Sequence, residues 1–279
     1  MVPTGLADDA GMRHRLRPED YSTLAFERRG RVLKIIINRP ESYNSVNGEL
    51  HDELSTVFTD ANDDPDSDVI ILTGAGKSFC AGGDMAWFQS MVDDPRIFER
   101  LAPHAKRIVY SLIDLEKPII CRLNGPAAGL GASIALLCDI IIASEKASIG
   151  DPHVKMGLVA GDGGAVIWPQ LVGYARAKEY LLTGRMMPAS EMERIGLVNA
   201  VVPPDELDAR VDALADELAS GARQAIRWTK TVTNIPLRAI AGQVMDACMG
   251  YEMMTNLSKD HQEAINAFVG KRAPKFTGE

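Results

Sequence analysis

Twice in this chain a buried apolar strand runs into a glycine-rich loop and then into a helix. Residues 68–73 lead into the loop 74–83, and residues 119–123 lead into the loop 124–131. Such repetition commits a chain to an α/β architecture, because each strand needs covering by the helix that follows it. It also aims free backbone N–H groups at one point, where a developing oxyanion can be held. Two phosphate-binding patterns fail to explain these loops. Thr73-Gly74-Ala75-Gly76-Lys77-Ser78 ends like a P-loop, yet Ile71 stands where that motif needs its first glycine. Gly129-Leu130-Gly131 lacks the third glycine of the dinucleotide fingerprint.

The remaining segments fit the same plan. Residues 24–28 and 32–38 read as a hairpin split by Gly30-Arg31, and Asn47 as the cap of a helix carrying Leu50, Leu54, Val57 and Phe58. A long amphipathic helix is expected over 96–115, a shorter one over 132–137, and strands over 139–143, 147–150 and 197–202. From Pro203 the pattern is helical: 205–220, 222–233, 237–255 and 259–269. The expectation is an α/β core with a helical C-terminal region.

Bulk properties narrow the function classes. A chain of 279 residues, 46% hydrophobic and 24% charged, fits one large domain with a lesser appendage. A net charge of −8 has the wrong sign for a phosphate-backbone binder, so nucleic acid is disfavoured. No apolar run approaches the roughly 20 residues needed to span a bilayer, so no membrane partner is expected. The cluster Arg13-His14-Arg15-Leu16-Arg17 faintly resembles an organellar presequence, but Asp8, Asp9, Glu19 and Asp20 oppose that reading. Residues 1–20 read instead as a flexible extension, and a cytoplasmic location is expected. Cys80, Cys121, Cys138 and Cys248 are widely spaced, which argues against a zinc site or a disulfide framework. His51, His104 and His261 fall on expected helices outside the loops and read as surface.

The most informative segment is Asp151 to Gly164. It places His153 nine positions before Asp162, in a turn with four glycines in fourteen residues. Glycines at that density imply tight turns and a close approach to something. A histidine with a carboxylate partner can exchange a proton near neutral pH, because the carboxylate orients the ring and stabilises its cation.

Ser78-Phe79-Cys80-Ala81-Gly82-Gly83-Asp84 resembles the S-F-x-A-G-x-D signature of the crotonase, or enoyl-CoA hydratase/isomerase, superfamily. Lys117 to Gly131 is similar to its K-P-x-I-A-x-x-N-G-x-A-x-G-x-G signature, Cys138 to Ala143 to C-D-x-x-I-A, and Leu181 to Gly184 to L-L-T-G. Ile195 to Asn199 parallels A-x-x-x-G-L-V, and the resemblance runs in order from about Leu24 to Phe276. It implies a crotonase-like spiral of ββα turns over 21–202 and a helical region over 203–279 used in forming a trimer or a dimer of trimers. It also implies an acyl-CoA substrate whose thioester oxygen lies between the backbone N–H groups of Gly83 and Leu130. No cofactor is implied beyond the coenzyme A that the substrate carries. Lys77, Ala81, Asp84, Met85 and Lys275 fall at substrate- or CoA-binding positions, while surface lysines are the plain alternative for Lys77 and Lys275.

Departures from the family pattern carry as much weight. Where typical hydratases place two glutamates, this chain has Ser133 and His153, so the usual two-carboxylate hydration is in doubt. Asp162 stands where several branches carry a catalytic aspartate. The pattern from His153 to Pro169 most resembles crotonase-like β-diketone hydrolases, which break a carbon–carbon bond with water. The expected catalytic set is therefore His153 as acid or base, Asp162 as its partner or a second proton carrier, and Ser133 as a hydrogen-bonding or merely small residue. Three readings stay open: an acyl-CoA hydratase, isomerase or lyase; a C–C hydrolase of a β-dicarbonyl; and a non-catalytic binding member.

Overall fold

The computed structural model describes residues 16–279, so most of the expected N-terminal extension, 1–15, lies outside the described residues. The chain opens with the strands β1 (Leu24–Arg29) and β2 (Val32–Ile37), then helix α1 (Gly48–Asp63) and strand β3 (Val69–Gly74). Helices α2 (Met85–Asp93) and α3 (Pro95–Asp114) follow, then β4 (Ile119–Leu123), β5 (Ala127–Ala128), α4 (Leu130–Leu136), β6 (Ile140–Ser144) and β7 (Ser148–Gly150). The rest is α5 (Gly164–Thr183), β8 (Met187–Pro188), α6 (Ala189–Arg194), β9 (Ala200–Val202), α7 (Leu207–Ser220), α8 (Arg223–Asn256) and α9 (Lys259–Val269).

Two sheets share these strands: one in the order β1-β2-β3-β4-β6-β9, the other β5-β7-β8. Apart from the β1–β2 hairpin, the larger sheet is parallel. Successive chain segments therefore alternate between the sheets and end in a helix: β4, β5, α4, then β6, β7, α5. The first turns follow the same course, because isolated parallel bridges join Val46 to Gly83 and Cys80 to Ala127. This is the expected ββα spiral.

Strand β3 is buried at all six positions, as a parallel strand covered on both faces must be. Its side chains alternate accordingly. Ile70 and Leu72 join the main core, whereas Val69 and Ile71 pack outward with Ile120 and Ile142 against Leu207, Val211 and Ala215 of α7. The sheet's packing thus extends past residue 202 to include α7. Beyond it, α8 is one continuous helix with Pro236 inside, where sequence reasoning expects a break between 233 and 237. Val232, whose carbonyl Pro236 leaves without its helical donor, has a largely exposed side chain, so solvent can serve that turn. The helix lies along α3 and α5, and α9 lies against α2 and the turn at His153. No helix among the described residues is long and apolar enough to cross a membrane.

Candidate active site

The sheet register sets the two glycine-rich loops side by side. Cys80 bridges Ala127, which pairs with Ile149, so the residues three positions on, Gly83 and Leu130, lie on the same side of the spiral. Glycines precede both, with φ of +91° at Gly82 and +53° at Gly129, conformations that side-chain-bearing residues rarely adopt. Leu130 is the first residue of α4, where a backbone N–H has no partner inside the helix. Gly83 has no side chain because the ring of Phe88 occupies that space; a Cβ would lie 2.1 Å from its Cζ.

Just past the third strand of the same layer comes His153, in a short turn after β7. Its Nδ1–H donates to Asp151 Oδ1, and its Nε2 faces Asp162 Oδ2 at 3.2 Å and Glu252 Oε1 at 3.9 Å. Ser133 Oγ donates to Asp162 Oδ1 at 3.1 Å from within α4. All five side chains are buried. Burial alone would push the imidazolium down, but Asp151 and Asp162 outweigh it and hold His153 well above the usual histidine range. Burial raises the Glu252 carboxyl to about 8, with Asp162 and Asp151 adding to the shift and His153 opposing it. At neutral pH the set therefore holds a charged imidazole and a protonated carboxyl in contact, environments that split the titrations of neighbouring acids.

Asp151 and Glu252 were not among the sequence candidates. The first lies inside the segment singled out, two residues from His153; the second comes from α8. Ser133 hydrogen-bonds Asp162 and is not among the residues lining the inner cavity.

The glycines of the 157–164 turn explain what the backbone approaches. A Cβ at Gly161 would lie 2.4 Å from Glu252 Oε2, one at Gly164 2.0 Å from Asp151 Oδ2, and one at Gly163 3.3 Å from the Ser133 Cβ. Glu252 and Asp151 each fit only because a neighbouring residue has no side chain.

Replacing His153 with alanine removes the one cation among these acids. Breaking such a buried pair costs about 3 to 5 kcal/mol, so the variant should melt far below the parent at neutral pH. Melting curves of parent and variant at neutral pH check the size.

A cavity of about 60 Å³ is lined by Gly83, Leu130, His153, Asp162 and Glu252 together. Gly83, Phe88 and His153 also border an outer groove of about 580 Å³ that includes Ala81, Asp84 and Met85. Asp84 caps α2, accepting from the Ala86 and Trp87 amides. Lys77 and Lys275 are exposed and do not line that groove; its cation is Lys155. A larger groove of about 830 Å³ lies between α1, α3 and α8, away from these groups.

The surface reading of two histidines is corrected. His261 is fully buried, its Nδ1 2.6 Å from the Met156 carbonyl, and His51 is buried on the inner cavity. His51 lies three residues before Leu54 and seven before Phe58, on the core-facing stripe of α1. His104 stays partly exposed and pairs with Asp52. Two sets bring three potential metal ligands within 4.8 Å, Asp151/His153/Asp162 and His51/Asp52/His104. In the first, both ring nitrogens face carboxylates and the ring favours its protonated form, which cannot ligate.

The family model described as enoyl-CoA hydratase/isomerase matches residues 27–279. A probable enoyl-CoA hydratase of Mycobacterium tuberculosis is 34% identical over 264 residues, covering 92% of this chain and 98% of that protein. A crotonyl-CoA hydratase of Syntrophomonas wolfei is also 34% identical, over 258 residues with 92% and 98% coverage. Among solved structures, an enoyl-CoA hydratase/isomerase from Mycobacterium paratuberculosis superposes with a TM-score of 0.86 at 34% identity, over 88% of this chain and 99% of that one. A β-diketone hydrolase from the cyanobacterium Anabaena, bound to (S)-3-oxocyclohexyl acetic acid, gives 0.80 at 29% identity, over 86% and 96%.

Proposed function

This chain belongs to the enoyl-CoA hydratase/isomerase family, and from that membership we propose that it acts on an acyl-CoA thioester with a His153–Asp162 pair in place of two glutamates. The observation that carries this reading is that Gly83, Leu130, His153, Asp162 and Glu252 all line one cavity. The thioester oxygen lies between Gly83 N–H and Leu130 N–H, with coenzyme A in the outer groove beside Lys155. Asp162 takes a proton from water as the hydroxyl bonds the β-carbon, and the double-bond electrons move onto the oxygen held by the amides. The α-carbon then receives its proton from Glu252, and His153 carries the proton from Asp162 back to Glu252. The scheme uses no cofactor apart from the coenzyme A of the substrate. The exposed Trp228, Val232 and Ile235 of α8 support a trimer-forming role for that helix.

A second reading is favoured by one observation, the likeness to the Anabaena hydrolase together with Ser133 and His153 at the two glutamate positions. Here Asp162 takes a proton from water as its hydroxyl bonds one carbonyl carbon of a β-dicarbonyl. The bond from that carbon to the carbon between the carbonyls breaks, the departing enolate takes a proton from Glu252, and His153 returns the proton of Asp162 to Glu252.

Crotonyl-CoA and a cyclic β-diketone, assayed side by side by mass spectrometry, separate the two. Gain of one water by crotonyl-CoA supports the first reading; ring opening of the diketone alone replaces it with the second. Turnover should fall as pH rises through about 8, because Glu252 then loses the proton it must donate. Turnover of neither probe refutes both.

A further inference from the structure

The rest of the inner cavity's lining is mostly apolar, with Val46, Met91, Phe98, Leu101, Ala105 and Met249. Two polar side chains interrupt it, His51 from α1 and Asn256 from the end of α8. Both are more than nine-tenths buried. Asn256 donates from Nδ2 to the Met91 carbonyl at 3.3 Å, which leaves its Oδ1 without a partner among the described residues. His51 Nδ1 likewise has none, although the ring is held by Trp87, 5.3 Å away between centroids, and by His104. Burial lowers His51 to about 4, so at neutral pH it is an uncharged ring with one donor and one acceptor nitrogen.

Buried polar atoms without partners cost stability, and native proteins keep few of them. Neither belongs to the network around His153. An apolar residue at either position would complete the wall and suit a plain hydrocarbon tail better.

We infer that the cavity is built for a short acyl group carrying an oxygen function, a hydroxyl or a keto group, that hydrogen-bonds His51 and Asn256. This inference rests on the acyl-CoA reading and deepens it, naming the substrate class. A hydroxyl can donate to Asn256 Oδ1 and accept from an imidazole N–H, whereas a methyl group can do neither. A cavity of about 60 Å³ also limits the tail to a few heavy atoms.

Isothermal titration of the full chain with butanoyl-CoA and ω-hydroxybutanoyl-CoA tests it without turnover, since neither has a double bond. The hydroxylated thioester should bind roughly tenfold tighter. His51→Phe and Asn256→Leu should each erase most of that preference while leaving butanoyl-CoA affinity within about threefold of the parent. Equal binding of the two thioesters by the parent, or an unchanged preference in both variants, overturns the inference. If neither thioester binds, the acyl-CoA reading fails, and the melting temperature decides the question of the polar wall. His51→Phe should then melt higher than the parent, because an unpaired buried ring nitrogen has been removed; a lower melting temperature marks a structural histidine and overturns the inference.

Discussion

Asp162→Asn should lower kcat/KM by about 10³-fold while the protein still folds and binds its substrate. The substitution keeps the shape of the side chain and still offers an oxygen to Ser133 Oγ, 3.1 Å away. What it removes is the charge beside His153 Nε2 and the carboxylate proposed to take the proton from water. His153 retains Asp151 as its counter-ion at Nδ1, so the ring stays in place. Here the contrast with His153→Ala is informative, since that change injures stability and activity together. Stopped or steady-state assays on the better probe of the pair above give the ratio. Turnover within tenfold of the parent would remove Asp162 from the chemistry and leave Glu252 and His153 to carry it.

The second large effect comes from a backbone atom. Leu130→Pro deletes one of the two N–H groups proposed to hold the developing oxyanion, and losing one such donor costs about 10²- to 10³-fold in kcat. Proline is tolerated at the first position of a helix, where the missing N–H has no helical partner to lose, and Leu130 opens α4. The fold should therefore survive. Leu130→Ala is the control: it trims the same side chain but keeps the amide, and should lose far less. Equal losses in the two variants would show that the side chain, and not the N–H, matters at this position.

Much of this arrangement was legible in the chain itself. Strand–glycine–helix repetition led to an α/β core, and the resemblance of the two glycine-rich loops to the family signatures implied the spiral that the sheets display. His153 and Asp162 stood out through the glycine density around them, and those glycines turn out to make room for acidic side chains. Asp151 was missed although it lies in the same segment, since only the turn at Pro152 decides which ring nitrogen its carboxylate meets. Glu252 carried no signal at all: flanked by Tyr251 and Met253 on a long helix, it reads as an ordinary surface acid until α8 is laid across the spiral. His51 was misread for a related reason, as one polar residue at the edge of an apolar stripe. Local sequence reports local geometry well; which distant helix closes a cavity is a tertiary outcome.

The glycines at 161, 163 and 164 also decide where this enzyme can be changed. A methyl group at two of them would already overlap a carboxylate, so a longer acid in place of Asp151 or Glu252 has nowhere to go. Efforts to redirect the chemistry by mutation will find that quarter frozen. The lining around His51 and Asn256 is where the proposed selectivity would be rewritten.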